Sequence, residues 1–243
     1  MSPLLLSHEG YSVRLAEGAE DVEAAQGLRY RAFVDQAGQG RDADRFDREF
    51  DHVLVLRGDV LVATFRFRLF ASGRDATAGY STQFYDLTPL ERFAGPVLEM
   101  GRFCMSPGDR DPDILRLTWG GMARLVDRSD VSLLFGCSSF PGTDPTPFAD
   151  SFAFLRARHL APSVIRVGKK AKEAVAFPTH EPDPIEAQRR MPPLLRTYLM
   201  MGGWVSDHAV VDRALVTLHV FTGVEIAKVP ANRARALRAL AGD

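Results

Sequence analysis

The run "VLEMGRFCMSP", residues 97–107, constrains the fold more than any other stretch of this chain. It reads as an apolar strand, yet it carries Glu99, Gly101 and Arg102. In a regular strand, positions three apart point to opposite faces of the sheet. A glycine inside a strand often marks a β-bulge, and one inserted residue returns i and i+3 to the same side. Gly101 would thereby turn Glu99 and Arg102 toward a common cleft. The spacing alone also admits a structural salt bridge near a strand end. Buried charges are costly unless paired, so either reading requires a strand that other elements cover.

The rest of the sequence supplies that cover. "YSVRLA" alternates like a short strand. "AEDVEAAQGLRYRAFVDQ" predicts a helix with Val22, Ala25, Leu28 and Arg29 on one face. "GQGRDADRFDREFD" predicts a polar loop, and "HVLVLRGDVLVATFRFRLF" a hairpin turning at Gly58. In its second strand Phe65, Phe67 and Leu69 share one face, and Thr64, Arg66 and Arg68 the other. Leu115, Trp119, Met122 and Val126 repeat at helical spacing within 114–128. "SLLFGC" predicts a buried strand, and "TPFADSFAFLRARHL" a further helix. The Pro-rich connector "FPTHEPDP" leads to a helix near "PPLLRTYLMM", and "AVVDRALVTLHVFTGVEI" supplies at least one more strand. This pattern predicts an α/β fold, a mixed central sheet with helices on both faces. One domain is expected over 11–228, with an N-terminal extension at 1–10 and a C-terminal helix or tail at 229–243.

Charge and composition exclude several classes. No apolar run approaches the roughly 18 residues that span a bilayer, and the N-terminus lacks the pattern of a secretory signal. Cys104 and Cys137 lie in apolar strand-like runs and read as buried free thiols, which suits a reducing, cytoplasmic setting. The formal net charge of −1 hides an asymmetry. Residues 156–172 carry Arg156, Arg158, Arg166, Lys169, Lys170 and Lys172 and no acid. Such a run is a solvated face, a surface for an acidic partner, or a contact for an anionic membrane. It has no interleaved aromatics, which argues against nucleic acid. No Cys or His spacing suggests a metal site, and the Gly-x-Ser-x-Gly elbow is missing.

Several of these pieces together resemble a known family. "LRYRAF" with Arg29 and Phe33, "DRFD" with Asp44 and Asp47, Arg66 on the hairpin, and Glu99-x-x-Arg102 followed by Phe103 resemble acyl-homoserine-lactone synthases in order and approximate spacing. These belong to the GNAT N-acyltransferase superfamily. "RDADRFDREFDH", "LEMGRFCMSP", "LTWGGMARLV", "LFGCSSFPGTDP" and "PPLLRTYLMMGGWVSDHAVVDR" are more similar to the related ornithine-lipid N-acyltransferases, also labelled hemolysin-like proteins. The resemblance covers about residues 11–225, and "FGCSSFPGTD" is its most specific piece. Where that family reads roughly "NTTDVF", this chain has "LVTLHVF", with His219 in place of an acid. The departure bears on which amino acid is used.

The resemblance implies a GNAT or autoinducer-synthase-like fold with a bulged central strand. It implies transfer of a 3-hydroxy fatty acyl group from acyl carrier protein to the α-amine of L-ornithine, giving lyso-ornithine lipid. In that reaction Glu99 would take the amine's proton, with Arg102 beside it as a catalytic residue. Backbone N–H groups near Phe103 and Cys104 would meet the developing oxyanion. Arg102, Arg66 and Arg29 are candidates to grip the amino acid's carboxylate, and Asp44 or Asp47 its δ-ammonium. Phe33 joins the expected substrate site. No bound cofactor and no metal are expected; the donor is the acyl-phosphopantetheine of the carrier protein. The loop "SPGDRDPDIL" supports that donor over CoA, because its acids repel a pyrophosphate and its prolines remove donors. Lys169, Lys170, Lys172, Arg156 and Arg158 would then dock the acidic carrier, with a possible peripheral membrane contact. The same chemistry on another amino acid such as glutamine, acyl-homoserine-lactone synthesis, and a non-catalytic membrane-associated protein are the alternatives.

Overall fold

A computed structural model describes residues 4–241. Its strands are β1 (Leu4–His8), β2 (Tyr11–Leu15), β3 (Asp51–Arg57), β4 (Val60–Phe70), β5 (Tyr85–Asp86), β6 (Val97–Met105), β7 (Leu133–Pro141), β8 (Gly168–Lys169), β9 (Ala174–Ala176), β10 (Trp204–Asp212) and β11 (Thr217–Glu225). Its helices are α1 (Ala19–Phe33), α2 (Pro112–Arg128), α3 (Ala149–Arg158), α4 (Pro184–Arg190), α5 (Pro193–Met200) and α6 (Ala231–Ala241). The chain divides into two compact units, and the division falls within β4 and β6.

The first unit comprises Met1–Arg68, Met100–Val131 and Ala231–Asp243. Its strands run in the order β1-β2-β3-β4-β6, and the β1/β2, β2/β3 and β3/β4 pairs are antiparallel. Glu9 and Gly10 turn β1 into β2 with φ of 44° and 83°, the two positive values that a type I′ hairpin requires. Gly58, at φ 57°, begins the expected turn between β3 and β4. The predicted helix after β2 forms as α1, with Glu20 and Asp21 at its positive end and Ala25, Leu28 and Arg29 buried. Helix α2 opens where Asp111 accepts from the Asp113 N–H at 2.9 Å and Pro112 needs no donor. Trp119, Met122 and Val126 are buried as their spacing predicts, and Leu115 is half-buried. The polar loop before β3 contains a 3-10 turn, Arg45–Arg48, that the sequence reading left irregular.

The second unit comprises Leu69–Glu99 and Ser132–Pro230. Here the order is β6-β7-β11-β10-β9, with β7/β11, β11/β10 and β10/β9 antiparallel. Alternation along β11 sends Leu218 and Val220 into a core with Phe140, Phe152 and Leu195, and Phe221 into another with Tyr85, Phe135 and Trp204. Strand β7 runs four residues beyond the "SLLFGC" reading, to Pro141. Helix α4 follows the Pro-rich connector, capped by Asp183 with Pro184 at its first position, a start signal present in the sequence but passed over.

Gly121 of α2 shows how tightly the first unit packs. A β-carbon there would lie 2.6 Å from Val13 Cγ1, and Val13 is fully buried. Gly→Ala in a helix ordinarily gains up to ~1 kcal/mol. At this position overpacking, at ~1–3 kcal/mol, outweighs the gain. Gly121→Ala is expected to lower the urea midpoint of unfolding; a raised midpoint would show that Val13 yields.

Candidate active site

In the first unit, five of the predicted site residues form one ion-pair network, joined by Asp42. The 3-10 turn supplies its acids. Asp44 caps the turn by accepting from the Phe46 N–H at 2.9 Å, and Asp47 reaches back to the Asp44 N–H at 3.2 Å. Arg29 from α1 donates to Asp47 at 2.7 and 3.1 Å and to Asp42 at 2.8 Å. Arg66 from β4 donates to Asp44 at 2.6 and 2.8 Å and to Asp47 at 2.5 Å. Arg102 from β6 lies 3.0 Å from Asp42 and 3.2 Å from Asp44. Three guanidinium groups thus face three carboxylates, and their formal charges cancel.

Burial opposes ionisation of Asp47, but hydrogen bonds and charge from Arg29 and Arg66 outweigh it and hold the carboxyl well below its ordinary range. Asp44 is lowered in the same balance, with burial against Arg66 and then Arg102. Burial lowers His52, whose Nε2 lies 3.2 Å from the Asp47 carbonyl oxygen. The Arg29 and Arg66 side chains are 1% exposed, whereas Arg102 reaches 11% and Asp44 24%. Arg102 and Asp44 are therefore the more open ends of a buried lattice. Phe33 lies exposed at the last turn of α1. Phe103 is half-buried, and burial pushes the Cys104 thiol up to about 12, which keeps it protonated.

Strand β6 has a backbone irregularity at Arg102. Arg102, not Gly101, has the left-handed φ, at 54°. A side chain on Gly101 would meet nothing within 4 Å, so no steric demand explains that glycine. For a non-glycine residue the conformation costs on the order of 1–2 kcal/mol, and the ion pairs with Asp42 and Asp44 hold Arg102 there.

Glu99 has its own surroundings in the second unit. It is buried, and its carboxylate accepts from the Tyr80 N–H at 2.8 Å, the Ser81 N–H at 2.7 Å and the Ser81 hydroxyl at 2.5 Å. Gly79 makes this possible: a β-carbon there would lie 2.2 Å from Glu99 Oε2. The Ser81 hydroxyl also lies 3.5 Å from Cys137 Sγ. His219 is buried on β11, with Nδ1 3.1 Å from the Tyr85 hydroxyl. Of the basic run, Arg156, Arg158, Lys169, Lys170 and Lys172 are all exposed, and Lys170 Nζ donates to the Thr82 carbonyl at 2.6 Å. Among the described residues no cluster of His, Cys, Asp or Glu could hold a metal, and no helix is long and apolar enough to cross a membrane.

Sequence reading missed Asp42, Gly79, Tyr80, Ser81 and Tyr85. Asp42 lies two positions from Asp44 in "RDADRFD" and was within reach. The stretch "GYS" carries no pattern that marks it as the cap of a carboxylate far along the chain.

Residues 28–120 match a family model described as an acetyltransferase (GNAT) domain. The solved structure of FeeM, an N-acyl amino acid synthase from uncultured soil microbes, superposes with a TM-score of 0.51 at 9% identity, covering 96% of this chain and 97% of that one. That likeness is one of fold, and with the domain match it defines a GNAT-type fold. An L-ornithine N(alpha)-acyltransferase of Rhodobacter capsulatus is 34% identical over 229 residues, 86% of this chain and 88% of its own length. Another, from Brucella abortus, is 31% identical over 239 residues, 89% of this chain and 85% of its own. The chain belongs to the L-ornithine N(alpha)-acyltransferase family.

The network makes a pH prediction. An unfolded aspartate titrates near ~3.9, and the folded values of Asp44 and Asp47 are lower. Their contribution to stability is present above the unfolded value and is lost as pH falls toward the folded ones. Urea unfolding of Asp47→Asn should therefore show lower stability at pH 7 and a shallower loss between pH 5 and 2 than wild type. Parallel pH profiles would remove Asp47 from the linkage.

Proposed function

We propose that this protein transfers a 3-hydroxy fatty acyl group from acyl carrier protein to the α-amine of L-ornithine, the first step toward an ornithine lipid. The observation that carries the proposal is Glu99: a buried carboxylate on β6, oriented by two backbone N–H groups and a serine hydroxyl. An ammonium has no lone pair to attack a thioester, so the amine must first lose a proton, and Glu99 takes it, directly or through a water. The amine nitrogen then bonds to the thioester carbon, the C–S bond breaks, and the departing thiolate takes a proton. Backbone N–H groups near Phe103 and Cys104 stabilise the oxyanion.

The acceptor's charged ends fall to the open members of the network. Arg102 binds the ornithine carboxylate and Asp44 its δ-ammonium, Arg29, Arg66 and Asp47 pair within the same network, and the exposed Phe33 is assigned to the substrate site. Of the two acids expected to meet the acceptor's second cation, Asp44 is chosen because it is the more exposed.

The choice of carrier protein over CoA is supported at the start of α2. Asp111 occupies that positive end as its own cap, and Asp109 pairs with Arg57 at 2.9 Å. An incoming pyrophosphate would meet carboxylates there. A phosphopantetheine arm brings a single phosphodiester, and the exposed Lys169, Lys172, Arg156 and Arg158 suit an acidic carrier. The product is a lipid, which fits peripheral contact of a cytoplasmic enzyme with the inner membrane.

Purified protein supplied with 3-hydroxyacyl carrier protein and a panel of amino acids tests the reading; acylated ornithine is the expected product. Glu99→Gln should lower turnover at least tenfold, within the ~10²–10⁴ span of general-base catalysis, while its melting point falls by only the few degrees expected when one buried N–H loses its acceptor. A melting point lowered by many degrees would make Glu99 structural. For docking, Lys170 is left intact because it also holds the Thr82 carbonyl. Lys169→Glu with Lys172→Glu should raise KM for the acylated carrier at low salt and spare a small acyl-pantetheine donor. Equal carrier kinetics would return the run to a solvated face.

A further inference from the structure

The second unit buries two histidine nitrogens that have no partner among the described residues. His219 on β11 is 3% exposed and His208 on β10 is 6% exposed, and both leave Nε2 unbonded. Their other nitrogens determine what these atoms are. The Tyr85 hydroxyl donates its single proton to the His219 carbonyl oxygen at 2.8 Å. At 3.1 Å from the same hydroxyl, His219 Nδ1 must therefore carry the proton of that contact. His208 Nδ1 lies 2.8 Å from an Asp207 carboxylate oxygen, which can only accept, so it too is the N–H. In both rings Nε2 is a bare acceptor. Burial pushes His219 down to about 4, so it does not gain a second proton near neutrality.

Both rings pack on Tyr85, His219 with its centroid 5.6 Å away and His208 at 5.3 Å. Phe84 packs edge-on to His219 at 4.8 Å, and Phe221 packs on Tyr85 at 5.5 Å. These acceptors thus stand in an aromatic wall. A neutral hydroxyl that reaches them gives up less hydration than a charged donor does.

The wall begins at Glu99. Cys137 on β7 pairs opposite Phe221 on β11, so the two side chains share a face, and His219, two residues along, shares it as well. Ser81 touches both Cys137 and Glu99. Tyr80, which caps Glu99 through its N–H, packs on Phe84, and Phe84 on His219. Strand β11 is two places from β6, about 10 Å across the sheet.

We infer that His219 Nε2, supported by His208 Nε2, accepts a hydrogen bond from a hydroxyl near the thioester end of the acyl chain, making His219 the residue that selects a hydroxylated donor. This deepens the acyl-transfer reading and rests on it. Without the hydroxyl, a plain acyl chain leaves buried acceptors unpaired, which sites of this kind penalise heavily.

The test compares kcat/KM for 3-hydroxyacyl and unsubstituted acyl carrier proteins of equal chain length. Wild type should prefer the hydroxylated donor at least tenfold. His219→Phe, which suits the aromatic wall, should bring the ratio within about threefold by slowing the hydroxylated donor. His219→Gln restores an acceptor and should recover part of the preference. No preference in wild type, or an unchanged ratio in His219→Phe, overturns the inference and leaves the nitrogens to a buried water. A second readout needs no turnover: the Nε2 resonance of ¹⁵N-histidine-labelled wild type should move with 3-hydroxymyristate and not with myristate. Absence of that difference also overturns the inference. If neither donor acylates any amino acid, the transfer reading falls, and the resonance experiment still decides the role of His219.

Discussion

Asp47 is the atom-level junction on which the first unit depends. Its carboxylate accepts from Arg29 of α1, Arg66 of β4 and Gln26, and also closes the capping box of its own turn. Its carbonyl meets His52 of β3. Burying so many charges carries a large desolvation cost, and nothing short of near-complete pairing offsets it. The loop before β3 must therefore arrive with Asp42, Asp44 and Asp47 all in register. Once it does, Arg102 is held at a backbone angle that its residue type resists. Such a lattice is a weak source of net stability but a strict one for geometry, since removing any member leaves a buried charge uncompensated.

Glu99 is held by different means. Its orientation comes from backbone N–H groups and one hydroxyl, brought close because Gly79 has no side chain. Donors fixed in the backbone hold the carboxylate in one orientation and favour its charged form. The strand β6 thus carries a carboxylate set by hydrogen bonds and, three residues on, a guanidinium set by ion pairs.

Aromatic side chains line much of the interior of the second unit. Stacked pairs such as Phe135 with Phe221, and Phe152 with Phe177, give the sheet rigid apolar walls. Against that background His208, His219, Ser206 and Tyr85 form a small polar inset. Its hydroxyls are satisfied internally, with Ser206 donating to the His208 carbonyl and Tyr85 to that of His219. The two ring Nε2 atoms of this inset have no hydrogen-bond partner among the described residues.

Much of this architecture was already legible in the residues. Periodicity located α1, α2 and the hairpin at Gly58, because amphipathic spacing and turn glycines act over a few residues. The charges in "VLEMGRF" marked β6 as special, and their order relative to Arg29, Asp44, Asp47 and Arg66 carried the family resemblance. Local pattern did not reveal that those arginines and aspartates face one another, since ion pairs between residues 29 and 47, or 44 and 102, form only when distant strands and turns meet. Nor could it place the left-handed angle on Arg102 in preference to Gly101, because glycine's freedom is visible in sequence and a strain held by ion pairs is not. The cap on Glu99 and the tautomers of His208 and His219 belong to the same class. Sequence determined which groups are present; the packing of the folded chain decided which proton each one holds and which partner it meets.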